Sequence, residues 1–132
     1  MTASDSYDPL AELKAALGEG SPELAAGLMD LFIEDTPGRL EALRTAMEES
    51  DFEAFRHTAL VLKRSAQTAD APSICMLAKL LEELGLSRHW EGAEFLCCRL
   101  EDEFLGLCRK RRVRLEDSAV SRITGKRRNR PR

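Results

Sequence analysis

Aromatic residues make up only 5% of this 132-residue chain, and valine, isoleucine and threonine are sparse. No run alternates apolar and polar residues at period two, as a half-buried strand would. These scarcities argue against a sheet protein. No stretch is long and apolar enough to span a membrane, and the opening residues Met1–Ser6 carry neither the basic nor the apolar region of a signal peptide. A cytoplasmic protein is expected. The four cysteines, Cys75, Cys97, Cys98 and Cys108, form no C-x-x-C pair and no zinc-type spacing. They read as small buried or half-buried thiols, and neither a metal nor a cofactor is expected. There is no glycine-rich phosphate loop and no Ser/His/Asp set. The carboxylates at Glu82 and Glu83, and at Glu101, Asp102 and Glu103, read as solvated helix faces with nothing nearby to perturb them. No residue is assigned a catalytic role, and the chain is not expected to be an enzyme.

What recurs is leucine, alanine and glutamate, which lose little side-chain freedom in a helix. Residues 1–7 read as disordered. A short N-terminal helix is expected from its cap Asp8 through Pro9 to Leu17, ended by Gly18 and Gly20. Ser21 and Pro22 open a second helix whose buried side is Leu24, Leu28, Leu31 and Phe32. Pro37 and Gly38 interrupt that pattern. It resumes at Leu40, Leu43 and Met47, so one kinked helix is expected rather than two. After Asp51, the residues Phe52, Phe55, Ala59, Leu62, Ala66 and Ala69 recur at alternating three- and four-residue spacings, the narrow seam of a bundle helix. Asp70 and Pro72 open the next helix, with the seam Ile74, Leu77, Leu81 and Leu84 and a stop at Gly85. The last long helix is expected to begin near Ser87. It repeats the rhythm at Trp90, Ala93, Cys97, Leu100, Phe104 and Leu107 and continues toward Val113 and Leu115. Four long amphipathic segments on short links predict one all-α domain, an antiparallel four-helix bundle over residues 8–115. A basic, flexible tail over residues 116–132 is expected to follow.

The helix after Asp51 has a second face. With Ala59 and Leu62 inward, Leu60 points away from both, about 100° from Ala59 and about 200° from Leu62. His57 lies one turn before it, Lys63 and Arg64 one turn after, and Gln67 beyond. An apolar residue, with Val61 beside it, thus sits in a polar and cationic strip. Scattered surface hydrophobics are common. The sharper reading is an interaction face, an apolar anchor ringed by donors suited to an acidic partner.

The stretch Leu60-Val61-Leu62-Lys63-Arg64-Ser65-Ala66-Gln67-Thr68-Ala69-Asp70 resembles the histidine-containing phosphotransfer (HPt) domains of bacterial and plant phosphorelays. Their pattern is roughly His-x-Leu-Lys-Gly-Ser-x-x-x-x-Gly, and Leu62, Lys63 and Ser65 match it. The upstream run Leu31 to Arg44 is similar to the family's first bundle helix, proline included. The run Asp51 to Arg56 is similar to the lead-in to the phosphohistidine helix, and the likeness covers about Asp8 to Val113. It implies a four-helix bundle that works in a phosphorelay. The implied partner is a response-regulator receiver domain, a histidine kinase or another regulator's output domain, with Lys63 turned to the receiver's acidic groups. The departures lie at the chemistry. Leu60 stands at the phosphohistidine position and has no nucleophilic nitrogen. Arg64 replaces the glycine that leaves the histidine open, and Asp70 replaces the second glycine. The implied molecule is a degenerate domain that docks through His57, Leu60, Val61, Lys63, Arg64 and Gln67 without transfer. His57 is the alternative phosphoacceptor. It projects about 60° away from Leu60 and ~4.5 Å down the axis, and a misplacement of ~1 Å is costly to transfer. His89, beside Trp90, reads as a helix-start residue with no chemistry.

The formal net charge of −3 hides an asymmetry: residues 109–132 carry a net +9 and residues 1–108 a net −12. Two clusters, Arg109-Lys110-Arg111-Arg112 and Lys126-Arg127-Arg128, are candidates for salt-sensitive nucleic-acid contact by counterion release. An anionic membrane surface or an acidic protein would serve them equally, and so would plain solvation beside the acidic body. No aromatic residue is interleaved, so base stacking is not supported.

Overall fold

The computed structural model describes the backbone of residues 21–123 and the side chains of residues 21–112. The helix expected over residues 8–17 and the cluster Lys126–Arg128 lie outside the described residues. Four helices account for what is described: α1 (Pro22–Glu48), α2 (Phe52–Thr68), α3 (Pro72–Ser87) and α4 (Ala93–Ile123). Each packs on the next in chain order, and α4 returns against α1. This is the expected all-α four-helix bundle. The backbone of α4 stays helical to Ile123, beyond the boundary expected at residue 115.

The helix starts follow from local chemistry. Ser21 Oγ accepts the Leu24 N–H at 3.1 Å, and Asp51 Oδ1 accepts the Ala54 N–H at 3.0 Å. Each side chain satisfies a donor that the first turn leaves without a helical acceptor. Pro22 and Pro72 occupy first-turn positions, where a missing N–H costs nothing. Pro37 lies inside α1 without ending it. The buried Thr36 beside it donates its hydroxyl to Phe32 O at 2.6 Å, so the pattern interrupted at Pro37 and Gly38 is indeed one helix.

Three helix ends share one motif. Ser50, Asp70 and Arg88 hold left-handed φ values of 54°, 64° and 59°. At each end one N–H reaches back three residues and the next reaches back five: Ser50 to Met47 and Asp51 to Ala46, Asp70 to Gln67 and Ala71 to Ala66, Arg88 to Gly85 and His89 to Leu84. This is the Schellman arrangement, which glycine usually completes. Asp70 therefore closes α2 rather than opening α3, whose cap residue Ala71 supplies no side-chain bond.

The core is built on Phe32, Leu43, Phe55, Leu62, Leu81, Leu100 and Phe104. Four expectations are corrected. Leu31 is exposed, because Leu28 and Phe32 set the inward direction of α1 and Leu31 lies about 80° off it. In α3 the fully buried positions are Ile74, Ala78, Leu81 and Gly85, while Leu77 and Leu84 flank them half-buried. Gly85 does not stop α3. It lies within the helix, where a Cβ would fall 2.9 Å from Arg56 Cβ and 3.0 Å from Arg56 Cα. Its role is close approach of α2 and α3. Finally, α4 starts at Ala93 and not near Ser87, because the left-handed Arg88 ends α3 and Gly92 turns the chain again at φ 86°. Trp90 belongs to that link. It stacks on Phe52 at 4.1 Å and meets Phe55 edge-on at 5.0 Å, with the Arg88 guanidinium over Phe52 at 4.9 Å.

The two kinds of glycine give opposite expectations in urea denaturation. Gly27→Ala, with nothing within 4 Å of the added methyl, should stabilise the fold by ~0.5–1 kcal/mol through helix propensity. Gly85→Ala should destabilise it by ~1–2 kcal/mol, because overpacking outweighs the same gain. A gain at position 85 would mean that the helices have room there. Asp70→Gly should stabilise by ~0.5–1 kcal/mol by relieving the left-handed backbone, and an unchanged unfolding midpoint would refute that account.

Candidate partner-docking face

The outward face of α2 is set by what its other sides do. Phe55, Ala59, Leu62 and Ala66 are buried. On the α1 side, Arg39 Nη1 donates to Ser65 Oγ at 3.3 Å. On the α3 side, Lys63 Nζ pairs with Glu82 Oε1 at 2.8 Å. Between these ties a stripe faces solvent. His57, Arg64 and Gln67 are exposed along it, and Leu60 and Val61 are half-buried. Neither Leu60 nor Val61 belongs to the buried core. Leu60 is less exposed than a lone surface leucine would be, because Arg56, His57, Lys63 and Arg64 surround it at one-turn spacings. Arg56 itself bends to Glu53 at 2.8 Å.

The structure thus brings five of the six expected residues to one surface and changes the standing of the sixth. Lys63 is 24% exposed and its partner Glu82 only 14%. Its charge is met within the chain, and Glu82 is not the solvated carboxylate the sequence implied. Leu86, 60% exposed, went unremarked in the sequence. It lies one turn beyond Glu82 on α3 and just past Gly85, where α3 meets Arg56. An apolar residue off its helix seam was the available signal.

The basic cluster at the end of the bundle is also divided. Arg111 donates to Asp30 Oδ1 from Nε at 3.1 Å and from Nη2 at 3.0 Å, and to Ala26 O at 3.3 Å. It fastens α4 to α1, because position 111 continues the inward side marked by Phe104 and Leu107. Arg109, Lys110 and Arg112 are exposed. His89 is exposed too, but it completes the last turn of α3 rather than starting α4.

A second charged group spans α1 and α4. Arg44 donates to both oxygens of Glu101 at 2.9 and 3.0 Å, to Glu94 at 2.6 Å and to Cys98 Sγ at 3.5 Å. Glu101 first, then Cys98 and Glu94, hold the guanidinium protonated well above its ordinary range. Glu101 is therefore half-buried and engaged rather than solvated. Cys98, expected to be sheltered, is exposed, whereas burial pushes the Cys97 thiol up to about 11 and raises Cys108 as well. A thiol raised in this way is a poor nucleophile at neutral pH. Among the described residues no group of three or more His, Cys, Asp or Glu is placed to hold a metal ion, and no helix is long and apolar enough to cross a membrane.

A bundle with a polar stripe centred on one helix position can be compared with known proteins. Among curated proteins none matches this chain. Among solved structures it is similar to the histidine-containing phosphotransfer protein B (HptB) of Pseudomonas aeruginosa PAO1. The two share 28% identity at a TM-score of 0.62, over 78% of this chain and 90% of that one. The Hpt domain family matches residues 27–124, a span that takes in α2 with its outward stripe and nearly all of the bundle. By that match the chain belongs to the Hpt domain family.

Proposed function

We propose that this chain is a phosphorelay signalling protein that docks a receiver domain or a histidine kinase without itself accepting a phosphoryl group. The observation that carries this reading is the leucine at position 60, on the outward stripe of α2. Relay through a histidine needs an imidazole nitrogen in line with the phosphoryl donor. Leu60 offers only carbon there. Arg64, one turn further on, adds a long cationic side chain where a relay site needs open space.

The same features favour binding. An apolar side chain amid long polar ones has the make-up of an interface anchor, which excludes water while its rim supplies orientation. Arg64 and His57 place donors on either side of Leu60, and both are exposed. A receiver's acidic pocket matches that charge, and complementary charge speeds encounter more than it tightens the complex. Lys63 has a different part. Its bond to Glu82 holds α2 and α3 together, and its loss would act on the fold before it acted on binding.

Two experiments test the reading. In calorimetric titration with a cognate receiver domain, Leu60→Asp should weaken binding by at least ~10-fold, as for an interface anchor. Equal affinities would remove this stripe from the mechanism. Incubation with a phosphorylated receiver should leave the wild-type chain unlabelled. If label appears and is lost in His57→Ala, the exposed His57 is the acceptor, and docking without transfer is refuted.

A further inference from the structure

The largest apolar exposure in the bundle lies away from α2. Met76, Leu80 and Phe95 are 65%, 40% and 65% exposed. The open cleft between the start of α3 and α4 fixes how these helices are aligned. Ser73 and Ile74 line it opposite Glu103, Gly106 and Lys110. Two turns along α3 from Ser73 is Leu80, and two turns back along α4 from Glu103 and Gly106 are Leu96 and Arg99. Leu80 is therefore level with the Leu96–Arg99 turn, next to Phe95. Met76 lies one turn from Leu80 on the same outer stripe. Leu77, Leu84 and Leu96, half-buried and packed on the core, fill the space between. The outer side of α3 and α4 thus carries an apolar patch, Met76, Leu80 and Phe95 over Leu77, Leu84 and Leu96, bordered by Arg99, of the kind that is often functional.

We infer that this surface pairs with the same surface of a second copy, with the two α3 helices antiparallel about a two-fold axis at the level of Leu81. The charges select this occupant. Lys79 and Glu83 are both exposed, four residues apart on one flank of the stripe. A two-fold axis midway between them sets Lys79 of each copy against Glu83 of the other, so the contact satisfies itself twice. Arg99 and Glu103 on α4 pair with each other within the chain, 3.8 Å apart, and so bring no unmatched charge to the contact. A strongly acidic or basic partner would find no matching field here. Size sets the strength. The 16 residues of α3 span about 24 Å, and a two-helix face of that length offers about 500 Å², below the roughly 800 Å² per partner of standard stable complexes. The dimer is accordingly concentration-dependent. Its apolar centre lies away from the α2 stripe, because Glu82 and Gly85, which meet α2, lie about 160° and about 140° around α3 from Leu80.

Sedimentation velocity over micromolar to near-millimolar concentrations tests this. The wild type should pass reversibly from monomer to dimer. Leu80→Glu, Lys79→Glu and Glu83→Lys should each weaken dimerisation by at least ~10-fold, since like charges or a charge in an apolar contact then meet. The double variant Lys79→Glu/Glu83→Lys should recover to within ~3-fold of wild type, because the reversed charges again complement each other. Lys79 and Glu83 are surface positions, so this pair reads out even if Leu80→Glu fails to fold. Leu60→Asp should dimerise as the wild type does. A wild type that stays monomeric throughout, or a double variant as weak as the singles, would overturn the inference.

Discussion

The missing side chain at Gly85 governs how α2 sits in the bundle. With the Arg56 backbone only 3.0 Å from where a Cβ would be, α2 and α3 approach as closely as two helices can without a small residue on both sides. Ala59, Ala66, Ala69, Ala71 and Ala78, all buried, keep the rest of this seam equally thin. Such a seam tolerates little rotation, since interiors are packed like crystals. Once α2 cannot rotate, the residue at position 60 must face outward. The identity of that residue is then a statement about chemistry, not about packing.

The other side of the bundle is held differently. Between α1 and α4 the edge contact of Phe32 with Phe104 at 6.3 Å is flanked by long charged side chains, Arg44 to Glu101 and Glu94, and Arg111 to Asp30. Ion pairs at partly exposed positions contribute little each, about 0–1 kcal/mol, and salt screens them. They are better at specifying than at stabilising. The Arg44–Glu101 and Arg111–Asp30 ties lie far apart along α4, and together they fix its register on α1. The Phe52–Trp90 stack does similar work at the loop end, where it pins the α3–α4 link over the start of α2.

The parts of this architecture that were legible in the sequence are those written in local chemistry. The cap at Ser21, the restart at Asp51, the passage of α1 through Pro37 and the seam from Phe55 to Ala69 follow from neighbouring residues alone. Gly85 misled because a glycine near a helix end reads as a stop, and only the partner helix reveals a close approach. Ser50, Asp70 and Arg88 complete turns that usually call for glycine, so those ends carried weak signals. The pairs Lys63–Glu82, Arg44–Glu101 and Arg111–Asp30 were illegible in principle, since the partners are far apart in the chain and meet only when the helices pack. For that reason Lys63 read as part of the docking strip although its charge is already met. Position 60 and its neighbours were legible because helical periodicity alone separates them from the core.

The contrast between the two seams also has a kinetic meaning. A domain opens first where few apolar contacts resist and last where packing is tightest. Amide protons of α1 and α4 beside the Arg44 cluster would then exchange with solvent sooner than those at the centre of α2 and α3. The helix that carries Leu60 belongs to the slow half, so its outward stripe is already held in shape, and the docking proposed for it would spend little binding energy on ordering.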